Sequence, residues 1–203
     1  MQFVFISNDE PDTDHFGAAL ARALPSGAVI ALVGTLGAGK TRLVQAIAKA
    51  VGIDPREVVS PTFVLVHEYE VSPGRKAGVS ARQDPGLPAR ANAETRILPV
   101  TKLYHLDAYR IKDDDEFREL GAEEFFESDG WTFVEWADRV ADCLPREHMR
   151  IDIEVTGPTQ RRFDVTAVGE RFEQTIDELR LSFPGSTWEL GSRLPPTAKR
   201  PEL

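Results

Sequence analysis

The chain has 203 residues, 41% of them hydrophobic, with a formal net charge of −9 and an isoelectric point near 5.0. That length suits one α/β domain with peripheral additions, and the acidic balance works against nonspecific nucleic-acid binding, so a role near nucleic acid implies a partner that holds it. The single cysteine, Cys143, excludes an internal disulfide, no apolar stretch is long enough for a bilayer, and the N-terminus carries no basic leader; a cytoplasmic protein with no membrane association is expected.

Residues 3–7 read as a strand and 8–11 as the turn that opens a helix with an apolar stripe of Phe16, Ala19, Leu20 and Ala23. Pro25-Ser26-Gly27 ends that helix. Residues 28–33 are continuously apolar, as a parallel strand covered on both faces should be. Immediately after it, Gly34-Thr35-Leu36-Gly37-Ala38-Gly39-Lys40-Thr41 fits G-x-x-x-x-G-K-[ST]. Glycines allow positive φ, so that successive N–H groups converge on an anion while the next helix offers its N-terminus. Lys40 would then reach the β and γ phosphates of ATP, and the Thr41 hydroxyl a bridging Mg²⁺. Val44, Ile47, Ala48 and Val51 give the following helix its buried stripe, and Gly52 stops it.

Ser60-Pro61-Thr62 is a stiff entry to a strand over 63–66 that runs on into His67-Glu68-Tyr69. Residues 71–96, rich in Pro, Gly, Ser, Ala and Arg and without periodicity, read as an inserted mobile loop. A strand over 98–106 delivers Asp107, followed by Ala108-Tyr109-Arg110. Asp113 to Glu116 opens a short helix with acids at its positive end, Gly121 breaks it, and 123–126 makes another turn. Trp131-Thr132-Phe133-Val134 ends on Glu135-Trp136. A weak helix over 137–144 stops at Pro145. Met149, Ile151, Ile153 and Val155, then Phe163, Val165 and Ala167, alternate with polar residues on either side of Gly157-Pro158, which predicts an antiparallel hairpin with one wet face at the sheet edge. Phe172, Ile176 and Leu179 predict a closing helix, and 182–203 is expected to be a disordered tail behind one domain over 1–181. The predicted fold is a P-loop NTPase-like three-layer α/β sandwich, with a mostly parallel central sheet and an antiparallel edge hairpin.

Ligands of open α/β sheets bind beyond the carboxyl ends of the strands, where Asp107 and Glu135 would both stand. Either acid could hold Mg²⁺ or orient an attacking water, and Thr62 could sense the γ-phosphate through the metal. Trp136 could lie over the site or against a partner but reads more simply as packing, and His15, His67, His105 and His148 lack a zinc-ligand spacing. Three functions remain open on the residues alone: an ATPase; a small-molecule kinase that uses Asp107 and Arg110 as Asp-x-x-Arg with arginines of the insertion as a lid; and a nucleotide-dependent interaction module.

Four blocks together resemble the TsaE family, the ATPases of bacterial tRNA threonylcarbamoyladenosine biosynthesis. They are Leu36-Gly37-Ala38-Gly39-Lys40-Thr41, Ser60-Pro61-Thr62-Phe63, Tyr104-His105-Leu106-Asp107-Ala108-Tyr109-Arg110 and Val134-Glu135-Trp136, with Thr13 and Gly17 of the first helix also fitting. The resemblance implies an ATPase that acts on a TsaB–TsaD-type protein complex, with tRNA met only through those partners. It implies nucleotide contacts from Leu36 to Arg42 and from Thr13. Metal contacts would come from Thr41, Thr62, Asp107 and Glu135, and catalytic roles from Lys40, Asp107 and Glu135. Thr35, Arg42 and Ala108 depart from the family's usual residues without removing a phosphate contact.

Overall fold

The computed structural model describes residues 1–62, 64–71 and 100–184. Its strands are β1 (Gln2–Ser7), β2 (Val29–Val33), β3 (Val66–Glu70), β4 (Lys102–Asp107), β5 (Trp131–Glu135), β6 (His148–Val155) and β7 (Arg161–Val168). The helices are α1 (Glu10–Ala23), α2 (Lys40–Ala50), α3 (Asp114–Glu119), α4 (Ala122–Phe126) and α5 (Glu173–Ser182). The strands make one sheet in the order β1-β7-β6-β2-β5-β4-β3. From β6 through β2 and β5 to β4 the pairing is parallel, and at both flanks it is antiparallel.

The apolar runs are explained by what covers them. In β2, Ile30 and Leu32 pack into the core shared with α1, α2 and α5, whereas Ala31 and Val33 face the smaller core under α3, α4 and the 3₁₀ segment Ala137–Cys143. Both faces are therefore dry, and no polar alternation is possible. In β6 and β7 only one face is covered. Met149, Ile151, Ile153, Phe163, Val165 and Ala167 point into the larger core, and the opposite face carries Arg150 paired with Asp152 and Arg162 paired with Asp164. Phe16 of α1 binds this flank to the helices by stacking on Phe5 at 4.8 Å and meeting Phe163 at 5.1 Å. Asp9 caps α1 by accepting from the Asp12 amide, and Asp113 caps α3 by accepting from that of Glu116.

Several boundaries differ from the sequence expectations, each for a local reason. The hairpin β6–β7 lies in the antiparallel flank as expected, but β1 pairs with β7 and is the outermost strand, since Phe3 and Phe5 must share the core with Phe16. The strand expected from 63 begins at Val66. Pro61 accepts hydrogen bonds from the Val64 and Leu65 amides, closing a turn in which Leu65 has φ +69°; Phe63 lies outside the described residues. The helix expected over 137–144 is 3₁₀, interrupted at Val140. Ser182 belongs to α5, and Phe183 continues past it onto Phe5 at 4.7 Å; residues 185–203 of the expected tail lie outside the described residues. Residues 72–99, nearly all of the expected insertion, also lie outside them. Its flanking residues are placed: Val71 and Val100 are buried, and the Val71 amide donates to Thr101, at the end of the β3–β4 hairpin remote from Asp107.

Gly17 is where α1 crosses α2. A Cβ at that position would lie 2.5 Å from the Ala46 Cβ and 2.8 Å from the Ala46 backbone carbon, so the helices approach as closely as they do only because none is present. Gly17→Val should therefore destabilise the fold by about 1–3 kcal/mol through overpacking, read as a lowered urea midpoint at unchanged m-value.

Candidate functional site

The chain leaves β2 at Val33 and enters α2 at Lys40 through the glycine loop. Gly34 lies so close to β6 that a Cβ would meet the Ile153 carbonyl at 2.6 Å, and Gly39 holds φ +110° directly before the helix. No side chain caps α2. Its first amides are thus left for a ligand, and an anion is the ligand they favour.

Around this loop the strand ends converge. Asp107 ends β4 and Glu135 ends β5, and the two are register partners, so their carboxyl groups stand side by side at the carboxyl rim. Glu135 Oε1 accepts a hydrogen bond from the Thr41 hydroxyl at 2.6 Å and lies 2.8 Å from His105 Nε2. Asp107 Oδ2 accepts from the Thr62 hydroxyl at 2.6 Å and from Ser60 at 3.0 Å, while its Oδ1 accepts from the Tyr109 amide at 2.8 Å. Lys40 donates to the carbonyls of Gly34 at 2.7 Å and Thr35 at 3.1 Å, and its ammonium sits 3.7 Å above the Trp136 ring. Burial pushes the Lys40 pKa below its ordinary value, against the opposing pull of Glu135, Asp107 and Asp138. Lys40, Thr41, Thr62, Asp107, Glu135 and Trp136 line an open cleft of about 400 Å³.

Of the residues expected at the site, Lys40, Thr41, Thr62, Asp107 and Glu135 meet around the cleft, with Leu36, Gly37 and Gly39 at its mouth. Ala38 is fully buried beneath the loop. Arg42 lines the cleft, but its guanidinium turns to α1, where it pairs with Asp14 and donates to the Glu10 carbonyl at 3.3 Å. Thr13 is not brought to the cleft. Its hydroxyl is shared with Ser7 at 2.8 Å and donates to the Asp9 carbonyl at 3.3 Å, tying the start of α1 to β1.

The sequence suggested no role for Ser60, His105 or Tyr109, and for Trp136 it favoured packing over a place above the site. His105 could be placed on the face of Asp107 by its two-residue spacing, but its contact with Glu135 crosses strands. Trp136 does pack, against Tyr109 at 4.9 Å, and it also takes the Lys40 charge; its φ of +57° turns the chain sharply just after β5. Among the described residues no group of three or more His, Cys, Asp or Glu side chains could hold a metal ion. Two carboxylates and the hydroxyls of Thr41 and Thr62 form an all-oxygen set, which suits a Mg²⁺ that also takes phosphate oxygens and water.

Fold and loop together define an α/β protein of the P-loop type. This chain belongs to the TsaE family: the model described as "Threonylcarbamoyl adenosine biosynthesis protein TsaE" matches residues 7–78 and 92–163. It is 37% identical to the tRNA threonylcarbamoyladenosine biosynthesis protein TsaE of Bacillus subtilis, over 75% of this chain and 78% of that protein. It is 33% identical to the protein of the same name from Aquifex aeolicus, over 77% and 90%. The crystal structure of Bacillus subtilis YdiB matches with a TM-score of 0.66 at 29% identity, covering 89% of this chain and 95% of that one. The family match is interrupted at 79–91, inside the stretch read from sequence as an insertion.

Asp14 fastens the phosphate-loop helix to α1 through Arg42 and Lys49. Burial raises its pKa, but the hydrogen bonds from Lys49 and Arg42 outweigh that and hold it below 3.8. A carboxyl lowered on folding stabilises the fold above its unfolded pKa, and that contribution is lost as pH falls through the folded value. The urea-midpoint difference between wild type and Asp14→Asn should thus be full near neutrality and shrink below about pH 4.

Proposed function

We propose that this protein is a Mg²⁺-dependent ATPase required for formation of N6-threonylcarbamoyladenosine at position 37 of tRNA. It acts in the cytoplasm on a TsaB–TsaD-type complex and meets tRNA only through those partners. Family membership supports the pathway. The observation that carries the ATPase reading is the 2.6 Å hydrogen bond between Thr41, in the first turn of the loop helix, and Glu135, at the tip of the adjacent strand, with Lys40 and Asp107 in the same cleft.

Lys40 binds by exchanging the neutral carbonyls of Gly34 and Thr35 for phosphate oxygens, which make stronger charge-assisted bonds. Amides of residues 37–41 cradle the same oxygens. Mg²⁺, when bound, offsets the charge that develops on the transferred phosphoryl group. Thr41, Asp107 and Glu135 would hold it, and Thr62, bonded to Asp107, would report its presence to the Ser60–Thr62 segment. Glu135 is also the group best placed to orient water, since His105 fixes one of its oxygens from behind.

Lys40→Ala should abolish Mg-ATP binding in calorimetry. Glu135→Ala should slow phosphate release about a hundredfold or more while affinity stays within a few fold. Unimpaired binding by the lysine variant would refute the loop assignment. Mixing the protein with the TsaB–TsaD pair, tRNA and an activated threonylcarbamoyl donor should give multiple-turnover modification that depends on it; modification indifferent to its presence would remove the pathway role.

A further inference from the structure

Arg161 opens β7, just past the turn of the β6–β7 hairpin, and is partly buried. Its Nε donates to the carbonyl of Ala38 at 3.0 Å, and its Nη1 donates to the carbonyls of Gly157 at 3.1 Å and Gln160 at 2.9 Å. The hairpin turn thus orients a planar guanidinium, and the guanidinium reaches the phosphate loop. A trans peptide carries its C=O and N–H on opposite sides, and none of the described peptides is cis. Pinning the Ala38 carbonyl to Arg161 therefore aims the Gly39 N–H the other way, toward the side on which Gly39, Lys40 and Thr41 line the cleft. Gly39, with φ +110°, forms one end of this unit, and Gly37, with φ +77°, precedes Ala38 at the other. Glycines that permit such a loop also make its peptides easy to flip, and a flipped 38–39 peptide would turn a carbonyl oxygen toward the phosphates.

We infer that Arg161 is a positioning residue for polyphosphate binding, locking the Ala38–Gly39 peptide with its N–H toward the ligand and so setting the affinity for nucleoside di- and triphosphates. The inference rests on the ATP-binding reading above. It assigns to the distal hairpin a part in the site, although Arg161 is not among the residues that line the cleft.

Calorimetry with Mg-ADP and Mg-ATP on wild type, Arg161→Met and Arg161→Lys tests it. Arg161→Met should weaken both nucleotides about tenfold, the size of one charge-assisted hydrogen bond, and raise KM for ATP by more than it lowers kcat. Arg161→Lys keeps the charge but not the fork, and should resemble the methionine variant rather than wild type. In the nucleotide-free protein, the Gly39 amide resonance should shift or broaden in Arg161→Met while amides of α5 stay put, a local change that general destabilisation would not produce. Undiminished affinity in Arg161→Met, wild-type affinity in Arg161→Lys, or an unmoved Gly39 resonance would each overturn the inference while leaving the ATPase reading intact. Wild-type protein that binds neither nucleotide would remove both.

Discussion

Leu32 stands opposite Glu135, and Asp107 stands opposite Glu135 on its other side, because β2, β5 and β4 run parallel in one continuous register. That pairing is the constraint on which the cleft depends. Parallel strands deliver their carboxyl ends to the same rim, so the loop that leaves β2 and the acids that end β4 and β5 must meet there. A slip of one residue in either pairing would turn the acids to the opposite face of the sheet, into the core beneath α3 and α4. What opposes such a slip is shape: Trp131 and Phe133 fill the larger core and Val134 the smaller one, and exchanging them would overpack one side and leave voids in the other, so in this sense the core specifies the site.

The same geometry explains how several ionisable groups tolerate burial. Lys40, Asp107 and Glu135 are each at most 4% exposed, a situation that is costly unless every charge is paired or hydrogen-bonded. Lys40 has two carbonyls and an aromatic face; Asp107 accepts from two hydroxyls and an amide; Glu135 accepts from Thr41 and His105. The exception is His105 Nδ1, which is buried without a hydrogen-bond partner. The ring's other nitrogen, Nε2, lies 2.8 Å from Glu135 Oε1 and joins β4 to β5. Nδ1 is the one buried polar group among these that the surrounding residues leave without a hydrogen bond.

What the sequence made legible was local. The glycine loop, its preceding strand and its following helix are contiguous, and the acids at the tips of two apolar runs could be read because strand direction in a βαβ arrangement is nearly obligatory. What it hid was set by contacts across the sheet or between helices. Thr13 and Ser7 satisfy each other's hydroxyls, which no periodicity reveals, and Arg42 is drawn off the phosphate loop by Asp14 on a different helix. The order of the antiparallel flank was hidden too: alternation in β6 and β7 identifies a hairpin with one wet face, but not that Phe3 and Phe5 bring β1 outside it. The Leu65 turn escaped because Val64, Leu65 and Val66 are good strand formers locally, and the Pro61 carbonyl outcompetes that propensity by capturing two amides.

The described ends of the connection between β3 and β4 follow the same division between rim and core. Val71 donates to Thr101 at the rim opposite the cleft, and both Val71 and Val100 are anchored in hydrophobic contact. Loop-closure entropy grows only with the logarithm of length, so additional residues there cost little once the hairpin ends are fixed. The register of β4, and with it the placing of His105 and Asp107, is set by pairing with β3 and β5 and is insensitive to how many residues connect the hairpin. A break in family similarity at 79–91 is therefore compatible with an intact cleft, whereas a change of equal length between Ser60 and Val66 would displace Thr62 from Asp107.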